Sequence, residues 1–261
     1  MRLANLNGRA TLVTDEGLID VEKASQGRFT SNTDELVAQL EELASWVDET
    51  SPEVTDLTTP AVLARDPGLG PVISQPRQVF AIGLNDRTHA HEMGLSNPTK
   101  PVVFTKFSSS VAGADATFLI PSPMTDWEYE LVVVIGKRGR NVDVDEALGY
   151  VAGYCVGQDL SDRALQMLGT PAQFSLGKSY ENFAPIGPWL TTTDEITDPN
   201  ALEITCSVNG MLLRTPTPAT WCSASVNWFP TFRPRARFDP ATSCSPAVHT
   251  ASGKVKSRQS S

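Results

Sequence analysis

Asp126-Trp127-Glu128-Tyr129-Glu130-Leu131-Val132-Val133-Val134-Ile135-Gly136-Lys137 sets two carboxylates, Glu128 and Glu130, at the head of a β-branched run. β-Branched residues favour strands. Residues i and i+2 of a strand share a face, so the two acids project together. Leu131 to Ile135 are too apolar for a surface hairpin, and the strand is expected to enter a core. Two acids at the inner end of a buried strand repel each other unless a cation or a proton stands between them. The stretch reads either as half of a divalent-metal site or as an ordinary strand whose mouth faces water.

The chain around it has 261 residues, enough for one large or two modest domains with a sizeable core. A net charge of −9 argues against a nucleic-acid surface. No apolar run approaches the roughly 20 residues that span a bilayer. The N-terminal Met1-Arg2-Leu3-Ala4-Asn5-Leu6-Asn7-Gly8 lacks the apolar stretch of a signal peptide. No membrane partner is therefore expected, and the expected compartment is the cytoplasm. Cys155, Cys206, Cys222 and Cys244 show no CxxC spacing, which suggests neither a zinc ribbon nor a disulfide framework.

Residues 1 to about 75 read as a small, separate unit. Arg9–Val13 and Gly17–Val21 flank a turn, as in a hairpin. Asn32-Thr33-Asp34-Glu35 then caps a helix with Leu36, Val37, Leu40, Leu43 and Trp46 at helical spacing. Pro- and Gly-rich residues 66–77 look like a linker. Beyond it, Val79–Asn85 is a short strand ending in a turn, and His89 and Glu92 come next at i and i+3, on one face of a helical turn. A carboxylate beside an imidazole orients the ring and raises its basicity, as a general base needs; a solvated helix with two chance histidines is the plainer alternative. His89-x-His91 would need His249 to complete a three-histidine zinc site, and zinc is discounted. Pro101–Lys106 is a further strand, and Tyr150–Asp159 is another that delivers an acid at its end. Asn209-Gly210 is a type I′ hairpin signal. Glu128, Glu130 and Asp159 form an all-oxygen set suited to Mg²⁺, Mn²⁺ or Ca²⁺. With Lys106, Arg163, Gln166 and Lys178 as candidate anion holders, the parts fit an enzyme acting on a small acid.

In these pieces the sequence resembles the fumarylacetoacetate hydrolase family. They run in family order over residues 79 to about 213: Gly83-Leu84-Asn85 with His89 and Glu92-Met93, Phe104-Thr105-Lys106, Asp126 to Leu131 through Gly136-Lys137, and Val151-Ala152-Gly153-Tyr154. Asp159-Leu160-Ser161-Asp162-Arg163 with Gln166, Gly177-Lys178-Ser179, and Pro185-Ile186-Gly187-Pro188-Trp189 complete them. The resemblance implies a mainly β fold with some α, a mixed β-sandwich roll catalytic domain (76–214) behind a small N-terminal α+β domain (1–75). It also implies a homodimer, Mg²⁺ or Mn²⁺ on Glu128, Glu130 and Asp159, and a His89–Glu92 dyad. Lys106, Arg163 and Gln166 would contact substrate, and Lys178 would join the catalytic set. The implied reaction is hydrolytic C–C cleavage of a 2,4-dioxo acid: His89, oriented by Glu92, takes a proton from water, the ion serves as template and Lewis acid, and pyruvate leaves as its enolate. Lys178 and Gln166 would steady developing oxyanions. Oxaloacetate decarboxylation and 2-hydroxy-dienoate isomerisation obey the same enolate logic. Asp86 departs from the family, where Tyr is common, and is expected to affect specificity.

The character changes after Arg214. Residues 215–261 hold no Leu, Ile, Met or Glu, and six basic residues stand against the single acid Asp239. Such a tail is expected to be disordered, although a relative would supply closing strands and a Gly-Thr loop here. Rebuilding the codons with one base lost near Arg214 permits G-D-L-V-F-T-G-G-T-H-G-V-G over Pro240 to Gly253, close to the family's C-terminal motif. Residues 215–261 therefore read as out of frame or as a divergent tail, and an inactive, truncated copy is one reading of the whole chain. No role is expected for His249 or the tail cysteines.

Overall fold

The structure, a computed structural model, describes residues 1–83, 102–202, 204–214, 237–238 and 242–246. His89 and Glu92 lie outside the described residues, as do Asp86 and His249. In chain order the strands are β1 (Arg2–Leu6), β2 (Arg9–Val13), β3 (Leu18–Asp20), β4 (Leu69–Gly70), β5 (Val79–Gly83), β6 (Val102–Thr105), β7 (Val111–Ala112), β8 (Thr125–Asp126) and β9 (Tyr129–Ile135). They continue with β10 (Gly139–Arg140), β11 (Val151–Gln158), β12 (Ser161–Asp162), β13 (Ala184–Thr192), β14 (Cys206–Val208), β15 (Met211–Arg214), β16 (Arg237–Phe238) and β17 (Thr242–Pro246). The helices are short: α1 (Val21–Ala24), α2 (Thr33–Leu36), α3 (Leu40–Thr50), α4 (Pro60–Leu63), α5 (Arg163–Gln166) and α6 (Phe174–Gly177). The fold is mostly β with some helix, as expected.

One large sheet runs in the order β3-β2-β1-β13-β11-β9-β17-β5-β6, with β4 paired to β1 and β7 to β13. At its centre, every residue of β9 is buried. Alternate side chains feed two cores. Val132 and Val134 join Leu3, Leu36, Leu43 and Trp46, while Leu131, Val133 and Ile135 join Tyr129, Val142 and Ile204. A strand covered on both faces needs a continuous apolar run rather than alternation, and this is why residues 131–135 read as they do.

The N-terminal unit is not detached. β1 pairs antiparallel with β13, and the apolar face of α3 closes over one side of β9. Its local structure follows the sequence pattern in part: Asn32 caps α2, and Leu36, Val37, Leu40, Leu43 and Trp46 are all buried, but a 3₁₀ turn over Val37–Gln39 splits the expected single helix into α2 and α3. At the other end, Asn209 and Gly210 take φ of 53° and 78°, as a type I′ turn requires, and join β14 to β15. Two pieces of the tail, expected to lack regular structure, form strands. β16 pairs with β10, and β17 lies between β9 and β5. Strand pairing uses backbone groups alone, so a sequence poor in core formers can still supply it.

Candidate metal centre

The antiparallel ladder between β9 and β11 builds the site. Gly157 lies opposite Glu130 and Gln158 opposite Tyr129. One step on, the Asp159 amide donates to the Glu128 carbonyl at 2.7 Å. The head of one strand thus meets the end of the other. Glu128, Glu130 and Asp159 are each at most 1% exposed, and carboxylate oxygens of the three lie within 4.8 Å of one another. Three hard oxygen donors in one buried cluster match what Mg²⁺ or Mn²⁺ takes, and no thiol or imidazole of the described residues joins them. The donor set fits the ion that the sequence implies.

Two buried lysines face the triad. Lys106 comes directly after β6, and its Nζ donates to Asp159 Oδ1 at 2.5 Å. Burial pulls its pKa down, the neighbouring Lys178 charge adds to this, and Asp159 and Glu128 only partly restore it. Lys178 donates to Asp159 Oδ2 at 2.6 Å and to Glu128 Oε2 at 2.9 Å. Burial pulls on this ammonium too, but Asp159 and Glu128 together hold its pKa above the ordinary lysine value. Its Nζ also stands 4.9 Å from the centre of the Phe104 ring, within cation–π range.

Gly177 explains how Lys178 gets there. A Cβ at Gly177 would meet the Gln166 backbone nitrogen at 2.6 Å and the Asp162 carbonyl oxygen at 2.8 Å. The missing side chain lets α6 lie against α5, the helix that ends at Gln166, and Lys178 follows α6 directly onto the triad. Asp162 caps α5 by accepting from the Ala164 and Leu165 amides, and its Oδ1 also accepts from Ser122 Oγ.

Arg163 spends most of its donors inside the protein. Its Nε and Nη2 donate to Asp126 Oδ2, its Nη2 lies 2.5 Å from Glu128 Oε1, and its Nη1 donates to Gln166 Oε1. Burial lowers the guanidinium pKa, yet Glu128 and Asp126 outweigh it and leave the value raised. Of the residues singled out in the sequence, the structure brings together Glu128, Glu130, Asp159, Lys106, Lys178, Arg163 and Gln166. Asp126, Phe104 and Asp162 had no assigned part. Only Asp162 carried a local signal, an Asp directly before a helix.

Known proteins resemble this chain in sequence and fold. Residues 78–223, more than half of the chain, match the family described as fumarylacetoacetate (FAA) hydrolase C-terminal. Mitochondrial oxaloacetate tautomerase FAHD2A of Bos taurus is 38% identical over 170 residues, which cover 60% of this chain and 54% of that protein. The chain thus spans about half the length of the curated relatives it matches. The crystal structure of an HpcE-like protein from Mycobacterium smegmatis superposes with a TM-score of 0.84 at 40% identity, covering 94% of this chain and 85% of that one. A maleylpyruvate hydrolase from Sphingobium sp. SYK-6, solved with manganese(II) and pyruvate, shares the fold at 23% identity and a TM-score of 0.80, covering 98% and 91%.

Proposed function

Because the chain belongs to the fumarylacetoacetate hydrolase family, we propose that it is a divalent-metal-dependent hydrolase cleaving a C–C bond of a small 2,4-dioxo acid of the acylpyruvate or fumarylpyruvate kind. The observation that carries this reading is the buried Glu128–Glu130–Asp159 triad with two lysines against it. The manganese and pyruvate held by the Sphingobium neighbour support an ion and a 2-oxo acid at such a centre. A bound Mg²⁺ or Mn²⁺ would supply charge neutralisation and Lewis-acid polarisation of a 2-oxo carboxylate. Lys106 adds positive charge for the substrate's acid group. Lys178 and Gln166 donate hydrogen bonds to oxygens that gain negative charge, in a buried setting where such bonds count most. His89, oriented by Glu92, takes the proton from the attacking water.

A second reading is favoured by the 38% identity to oxaloacetate tautomerases: enolisation of a 2-oxo acid without cleavage, or the related decarboxylation or isomerisation. Acetylpyruvate, fumarylpyruvate and oxaloacetate, each assayed with and without Mg²⁺, separate the two. Pyruvate release from the first two supports the hydrolase, and keto–enol interconversion of oxaloacetate alone supports the tautomerase. Full turnover in chelator rejects both.

The proposed assembly is a homodimer. Met124, Met167, Leu168 and Leu176 are at least half exposed on segments flanking the site, and such apolar surface calls for a cover; sedimentation of a monomer would reject it. We also propose that residues 215–261 are out of frame, which would make this copy an incomplete one. The coding DNA tests this: an open frame that no one-base change near codon 214 restores to family sequence rejects the proposal.

A further inference from the structure

Asp126 lies beside this centre without a part in the proposed reaction. The β8–β12 ladder seats it opposite Ser161, and its Oδ1 accepts from the Trp127 amide at 3.0 Å. That leaves Oδ2 for Arg163, whose Nε and Nη2 donate to it at 3.0 and 2.8 Å. The same guanidinium reaches two residues of the centre, Glu128 Oε1 at 2.5 Å and Gln166 Oε1 at 2.9 Å. A guanidinium is a rigid planar fork, so fixing one edge fixes the direction of the others. Glu128 then has a cation on both sides: Oε1 is ion-paired with Arg163 at 2.5 Å, and Oε2 accepts a hydrogen bond from Lys178. The carbonyl end of the Gln166 amide is committed to Arg163, which turns its NH₂ end away from the guanidinium.

We propose that Asp126 is a positioning residue of the metal centre: by anchoring Arg163 it sets the carboxylate plane of Glu128 and the direction of the Gln166 amide. The proposal rests on the triad being a metal site. A plain surface ion pair would not share its fork with a buried ligand, and here Asp126 is 7% exposed and Glu128 fully buried. Groups that orient metal ligands from behind are typically worth about 10- to 100-fold in metal affinity.

The test is calorimetric titration of Mn²⁺ into the full chain and its Asp126→Asn, Asp126→Glu, Arg163→Lys and D126N/R163K variants, with a thermal melt of each. Asp126→Asn and Arg163→Lys are each expected to weaken Mn²⁺ binding about tenfold or more while melting cooperatively. Asp126→Glu should recover most of the loss. The double variant should bind no more weakly than Arg163→Lys alone, because Asp126 acts through Arg163. Wild-type Mn²⁺ affinity in either Asp126→Asn or Arg163→Lys overturns the proposal, as do additive losses in the double variant. If Asp126→Asn fails to melt cooperatively, Arg163→Lys and Asp126→Glu decide it by the same affinities. A wild-type chain that binds no Mn²⁺ rejects the metal reading itself, a result distinct from a loss confined to the variants.

Discussion

Glu130 contributes a buried carboxylate to the three-acid cluster proposed to hold the ion. Replacing it by Gln keeps the shape and removes the charge. Glu130→Gln is expected to abolish Mg²⁺-dependent turnover and to lower Mn²⁺ affinity well beyond tenfold, read by calorimetry; retained activity without added metal would reject the assignment. Cys155 makes a contrasting case. Burial in the middle of β11 pushes its thiol up to about 12, and the thiolate is the reactive form. Peptide-resolved iodoacetamide labelling at pH 8 should leave Cys155 unmodified in the folded chain and label it in denaturant. At this scale the sequence was legible where chemistry and spacing coincide: two acids at i and i+2, and a third at a strand end. Asp126 was not, because its partner Arg163 lies 37 residues away and nothing local marks the pair.

Elements fix where these side chains stand, and two of them can be perturbed cleanly. Gly177→Ala puts a methyl group where the Gln166 backbone nitrogen would be 2.6 Å away, so α5 and α6 must part. The expected outcome is a loss of about 1–3 kcal/mol in stability and a fall in activity larger than the melt alone explains, since Lys178 moves with α6. Asp20 tests an electrostatic cap. It caps α1 and accepts two hydrogen bonds from Arg9, and Arg9 chiefly holds its carboxyl well below the usual carboxylate range. A pKa depressed on folding stabilises at pH above the unfolded value, about 3.9, and that contribution fades as pH falls from there toward the folded value. Asp20→Asn, which keeps a capping oxygen, should show a shallower loss of stability below about pH 4 than wild type in urea titrations. The cap of α2, the buried face of α3 and the β14–β15 hairpin were legible because a capping Asn32, an apolar period and turn residues are local signals. The pairing of β1 with β13 joins residues nearly 190 positions apart, Arg2 with Thr191, and only tertiary packing can specify it.

For the whole molecule, the separation expected between residues 1–75 and the rest gives way to one sheet with cores on both faces of β9. Shared cores make for shared unfolding, so a single cooperative melt is expected for the full chain. A chain stopped before Thr242 lacks β17 and should melt in two steps or without a sharp transition; an unchanged melt would mean that β17 contributes little. The placement of β17 also bears on biosynthesis. Among the described strands, β5 and β6 reach the rest of the sheet only through β17. A ribosome adding about 5–20 residues per second therefore leaves the β5–β6 pair waiting on the order of ten seconds for the strand that docks it. During that interval the nascent chain exposes two unsatisfied strand edges, one on β5 and one on β9, and these are where a chaperone would find it.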